Sequence, residues 1–210
     1  MNIMQDIKSM KKALTIGELL ITMSVIGVIA VLVLPGFIKD YHNKIYTAKL
    51  KKSIEMLENA VNQACIDNNV SYFYQTPYVV PGGKKQQEFI DKYFKKVNTE
   101  NVRPFANKYK VLNSGKLEDI TISQSSHGWG KLASGEAVSL FCKEDVTFCV
   151  FRVDINATDG PNIGGKDYFY LRIDRQTNKV YDQESKLCGT TYDGQGCYSK
   201  LLENNWIMNY

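Results

Sequence analysis

Four sets of residues in this 210-residue chain have types and spacings that could do chemistry. Cys142 with Cys149 and Cys188 with Cys197 form two close pairs, suited to disulfides in an oxidising compartment. Paired directly across a hairpin, Cys142 and Cys149 would leave a loop over 144–147. Spacing alone does not fix the connectivity, because Cys65 can take one partner and leave another cysteine free. Neither pair has CxxC spacing and only 2 His are present, so the pattern does not point to zinc. The run from Asp154 to Asp167 gathers oxygen side chains on a turning backbone, and Asp154, Asn156, Asp159 and Asp167 are the candidate donors for Ca²⁺. Their spacing is not that of an EF-hand, and the simpler reading is that they cap turns through their own backbone. Ser125, Ser126 and His127 cluster in SQSSHGW without a nucleophile-elbow glycine pattern or a third group to orient the base, and no phosphate-binding loop occurs. The chain is therefore read as a non-enzyme. The fourth feature is Glu18, a carboxylate at the mouth of a stretch with no charge.

That stretch, Leu19 to Ile38, is LLITMSVIGVIAVLVLPGFI. As a helix it covers about 30 Å, the thickness of a bilayer's hydrocarbon core. Lys8, Lys11 and Lys12 precede it, as in a secretory signal peptide, but the run continues past the Val28-Ile29-Ala30 cleavage candidate and opens on a carboxylate. Lys39, Lys44, Lys49, Lys51 and Lys52 follow it, so a count of flanking charge places the far side in the cytoplasm, whereas the cysteines favour the exterior. A carboxylate in a membrane segment costs a few kcal/mol on insertion scales and is retained where a partner neutralises it. The bland reading is that Glu18 snorkels to the interface.

The segment Lys11-Lys12-Ala13-Leu14-Thr15-Ile16-Gly17-Glu18-Leu19-Leu20 resembles the cleavage and methylation segment of type IV prepilins and type II secretion pseudopilins. That family joins a short basic leader ending in a small residue to an apolar residue, Thr, two apolar residues and Glu at the head of a hydrophobic helix. The resemblance implies a leader over 1–13, cleavage between Ala13 and Leu14, N-methylation of Leu14, and an assembly role for Glu18, which would meet the Leu14 amine of a neighbouring subunit. Pro35 falls where these proteins usually carry a helix-perturbing proline. The family usually has Gly before the cut and Phe after it. Ala13 and Leu14 keep the size classes, while Gly17 replaces a bulkier residue. The implied partners are a prepilin peptidase and methyltransferase, other pilin or pseudopilin subunits, and the cytoplasmic (inner) membrane. The chain would cross it once with its head extracytoplasmic. The competing class is a membrane-anchored binding module that does not polymerise, such as a minor pilin or a DNA-uptake pseudopilin.

Beyond Pro35, apolar residues recur at Ile38, Tyr41, Ile45, Ala48, Ile54, Leu57, Val61 and Ala64, in steps of three and four apart from one double step. This predicts an amphipathic continuation of one long helix over 14–69, with its membrane segment at 19–38. Residues 70–210 suffice for one head. Lys84 to Val97 has helical spacing, and Leu117–Ser123, Ala137–Cys142, Phe148–Ile155, Tyr168–Ile173 and Lys179–Tyr181 read as strands of a small antiparallel meander. Leu201 to Met208 reads as a last helical turn or a docking strand. The expected class is α+β, a pilin-like long helix packed on a small sheet. Half of the +4 net charge lies in residues 1–13, so the head is nearly neutral and carries no nucleic-acid signal.

Overall fold

The computed structural model describes residues 15–97, 102–120, 122, 126–143 and 148–210. The class is α+β, with one long apolar N-terminal helix and a small antiparallel sheet. Helix α1 runs over Ile16–Asp67, and the chain divides into two compact units, Met1–His42 and Asn43–Tyr210. The first unit contains the apolar half of α1 with Pro35 inside it. A proline at that place removes one backbone donor without ending the helix.

In the second unit, α1 from Asn43 onward buries one stripe, which includes Asn43, Thr47, Leu50, Ile54, Leu57, Val61 and Ala64. From Ile54 onward this is the stripe read from sequence. Before Ile54 it differs: Ala48 and Tyr41 are exposed, and Asn43, Thr47 and Leu50 are buried in their place. The double step between Ala48 and Ile54 marks the change of face. Stepping back from Ile54 by helical period leads to Leu50, Thr47 and Asn43. Hydrogen bonds make the polar pair acceptable there, because Asn43 Nδ2 donates to the Met208 carbonyl at 3.0 Å and Thr47 Oγ1 to the Asn43 carbonyl at 2.8 Å.

A single-turn 3₁₀ helix, Phe73–Gln75, precedes helix α2 at Gly83–Tyr93. A two-stranded hairpin, β1 (Lys108–Lys110) with β2 (Leu117–Asp119), stands apart from a five-stranded meander of β3 (Gly128–Lys131), β4 (Ala137–Cys142), β5 (Cys149–Asp154), β6 (Tyr168–Ile173) and β7 (Val180–Tyr181). Every neighbouring pair in the meander is antiparallel. A second 3₁₀ turn, Ser185–Leu187, leads to the short helix α3 at Cys197–Glu203, so the stretch Leu201 to Met208 ends a helix, turns over 204–206 and forms no strand.

Two apolar clusters occupy the two faces of the sheet. The larger joins α1 and α2 to Leu140, Phe151, Val153, Phe169 and Leu171. The smaller gathers Phe105, Tyr109, Ile120 and Ile122 over Ala137 and Tyr168. The strand pattern in the sequence does not include 128–131, which is edge strand β3. Its signal is suppressed by Gly128 and Gly130, and the packing requires at least the first. A Cβ on Gly128 would run into the backbone of Gln86 and Gln87, so glycine lets α2 lie directly on the strand. Gln87 then pairs with the strand as a surrogate neighbour, donating from Nε2 to the Trp129 carbonyl at 2.9 Å and accepting the Trp129 N–H at 3.0 Å. This protects an otherwise open edge.

Candidate functional site: the helix entry and the head loops

The described part of the prepilin-like segment begins at Thr15; Ala13 and Leu14, the predicted cleavage pair, lie outside the described residues. Thr15 caps α1. Its carbonyl accepts the first intrahelical bond from Leu19 N–H at 3.0 Å, and its Oγ1 accepts Glu18 N–H at 3.2 Å. In return, Glu18 Oε2 accepts from the Thr15 N–H at 2.9 Å and from the Thr15 hydroxyl at 2.8 Å. This is a reciprocal capping box, and its Thr-x-x-Glu spacing before an apolar run was visible in the sequence although that reading had not used it. The box gives Glu18 a partner inside its own helix.

Downstream of the box the helix is apolar and open. Ile16, Ile21, Met23, Ile26, Val31, Leu32 and Phe37 are each more than 60% exposed. An exposed apolar surface this continuous is not a soluble helix face. Its hydroxyls are turned inward to the backbone, Thr22 Oγ1 donating to the Leu19 carbonyl at 2.9 Å and Ser24 Oγ to the Leu20 carbonyl at 2.8 Å, which leaves no unmet side-chain donor to solvate. Among the described residues, one helix is therefore long and apolar enough to cross a membrane.

In the head, both cysteine pairs are bonded. Cys142–Cys149 sits across the β4–β5 register, with Cα atoms 4.1 Å apart, and Cys188–Cys197 closes the segment before α3, with Cα atoms 4.4 Å apart. Cys65 is free and buried against the core. The intervening 144–147 loop lies outside the described residues.

The Asp154–Asp167 run folds around two buried carboxylates. Asp154 Oδ2 accepts the Tyr109 hydroxyl, and Oδ1 accepts Asn156 N–H at 3.2 Å. Asp167 accepts Asn162 N–H at 2.7 Å and Ile163 N–H at 2.6 Å. Asn156 Nδ2 closes the loop onto the Gly160 carbonyl at 2.6 Å, while Asp159 is exposed. The four candidate calcium donors thus take different places in the loop. Two organise the backbone from inside, one bridges the loop and one faces water. Among the described residues no group of three or more His, Cys, Asp or Glu side chains is placed to hold a metal. Burial pushes Asp154 up to about 8, with the charge of Asp167 adding to it against the Tyr109 and amide bonds that pull the other way. Burial also raises Asp167, opposed by its amide donors. Tyr109 stacks on Tyr168, with centroids 4.1 Å apart, and its hydroxyl is pushed far up by burial and the neighbouring carboxylate.

Ser125 lies outside the described residues. Ser126 Oγ is 2.7 Å from His127 Nδ1, and His127 is buried and stacked on Phe141 with centroids 4.9 Å apart. His127 is a packed residue leading into β3. Compared with protein-family models, curated proteins and solved structures, the chain matches none of them.

Proposed function

We propose that the chain is a structural subunit of the prepilin type, cut between Ala13 and Leu14, methylated on the new amine, and assembled through its N-terminal helix into a type IV pilus or type II secretion pseudopilus. One observation carries this reading: an exposed, uncharged helix of bilayer length opens on a reciprocal Thr15–Glu18 cap immediately after a basic leader. The capping box is consistent with such a role because it satisfies the carboxylate within its own helix while the subunit waits in the membrane. On cleavage, the Leu14 amine becomes a cation next to Thr15, a second partner for the same carboxylate. The head, with its two disulfides, then lies outside the cytoplasm.

Mass spectrometry of the native N-terminus tests processing. The expected mature chain begins at Leu14 carrying one methyl group; a chain beginning at Met1, or cut after Ala30, overturns the proposal. Two variants separate charge from capping. Glu18→Gln keeps an acceptor for Thr15 but removes the charge, and Glu18→Ala removes both. Loss of filaments in both variants supports the charge role. If the Gln variant assembles normally, the carboxylate acts only as a cap.

A further inference from the structure

A cavity of about 660 Å³ opens on the head beside the second half of α1, inside the size range of ligand pockets, roughly 300–1,000 Å³. One helical face of α1 forms one wall, with Lys52, Met56, Ala60 and Gln63 spaced at i, i+4, i+8 and i+11. The opposite wall is the end of α2 and the strand-like segment behind it. There Ala133 N–H donates to the Lys95 carbonyl at 3.0 Å and Val97 N–H to the Lys131 carbonyl at 2.9 Å, fixing 95–97 along the end of β3. The floor is apolar: Phe94, Leu132 and Ala60 are buried, and Met56 is half-buried.

The rim is cationic. Lys92 is held by Asp67 at 2.7 Å, and Asp67 also accepts Gln63 Nε2 at 2.7 Å and the Tyr93 hydroxyl at 3.0 Å, so that corner is neutral and preorganised. Lys52 and Lys95 stand at the same cavity with no carboxylate paired to either among the described residues. Neighbouring Lys96 is spoken for by Asp91. Two lysines without a paired carboxylate, lining a cavity with an apolar floor, suit a ligand that combines a negative head with a greasy tail, since neither a bare anion nor a neutral hydrocarbon uses both halves.

We infer that this cavity binds an anionic amphiphile, an acyl chain bearing a single carboxylate or phosphate, with the tail over Met56 and Leu132 and the head between Lys52 and Lys95. This goes beyond the assembly reading and does not depend on it. The test uses the full chain in nanodiscs of neutral phosphatidylcholine, with the Met methyl groups labelled and observed by NMR. Dodecanoate added from solution is expected to shift the Met56 methyl saturably, and Lys52→Glu/Lys95→Glu to weaken that binding at least tenfold, whereas Lys52→Arg/Lys95→Arg retains it. A parallel sample with an anionic phospholipid in the disc separates the sources: a Met56 shift in that arm alone assigns a lipid, and in the dodecanoate arm a free acid. The inference is overturned if neither arm moves Met56, if the charge-reversed variant binds as well as the parent chain, or if inorganic phosphate or neutral dodecyl maltoside gives the same saturable shift.

Discussion

Asn178 shows how much one side chain can hold together. In a left-handed conformation, φ 59°, it accepts the Phe73 N–H at 2.8 Å through Oδ1 and donates to the Ser71 carbonyl at 3.0 Å through Nδ2. Asn tolerates that backbone region better than most residues. Asn178→Ala is expected to cost about 1–3 kcal/mol by orphaning the Phe73 amide and straining the turn, read as a lower urea midpoint with unchanged slope. Gly165 is constrained more tightly, by φ 83° and by a missing Cβ that would collide with Cys197 Sγ. Gly165→Ala should destabilise by about 2 kcal/mol or more, and non-reducing peptide mapping should show partial loss of the Cys188–Cys197 bond. Neither role was legible beforehand. Both residues stood in stretches that read only as turns, and the partners lie 105 residues away for Phe73 and 32 away for Cys197.

At the scale of elements, periodicity carried the reading where burial follows residue type and missed where hydrogen bonds replace it. The apolar run, α2 and the strands over Ala137–Cys142, Cys149–Asp154 and Tyr168–Ile173 were readable because their apolar patterns are local, and the two close cysteine pairs stood out as candidates although spacing left their connectivity open. The buried stripe at Asn43 and Thr47 was not, because a polar residue enters a core only with a partner, and Met208 lies 165 residues on. Strand β3 escaped because glycines hide its pattern and a helix side chain completes its pairing. The capping box was fully spelled in sequence. The lysine-lined cavity was not, since Lys52 and Lys95 lie 43 residues apart and nothing local marks them as neighbours. The β4–β5 hairpin carries its own prediction: Cys142→Ser/Cys149→Ser closes no loop in the unfolded chain and should lose about 2–3 kcal/mol in chemical denaturation, with the fold retained.

Acidity acts on the molecule as a whole. Asp154 is raised to about 8, Asp182 to about 6 and Asp167 in the same direction, each chiefly by burial. A carboxyl whose folded value exceeds its unfolded value, about 4, binds its proton more tightly when folded. Its stabilising contribution is complete below that unfolded value and is lost as pH rises, through about 6 for Asp182 and about 8 for Asp154. Two carboxylates act the other way: Asp174 is lowered by the Thr177 hydroxyl and then by backbone amides, and the exposed Asp67, paired with Lys92, is lowered to about 2; both oppose the trend only below about pH 4. The full chain in detergent should therefore melt several degrees higher at pH 5 than at pH 9. Asp154→Asn, which keeps an oxygen for Tyr109, should flatten that slope; an unchanged slope would mean that Asp154 does not set it.

Cys65 gives the molecule a clock of its own. It is the one thiol left after the two disulfides, it is buried on the α1 stripe, and burial raises its pKa, so little reactive thiolate exists in the closed fold. A thiol reagent in excess reaches it only when α1 lifts from the sheet or the domain opens. The labelling rate then measures the free energy of that opening in the unmodified protein, without denaturant. Because the thiol sits on the helix proposed to pack in the filament, the same rate compared between free and assembled subunits would report whether assembly tightens the head.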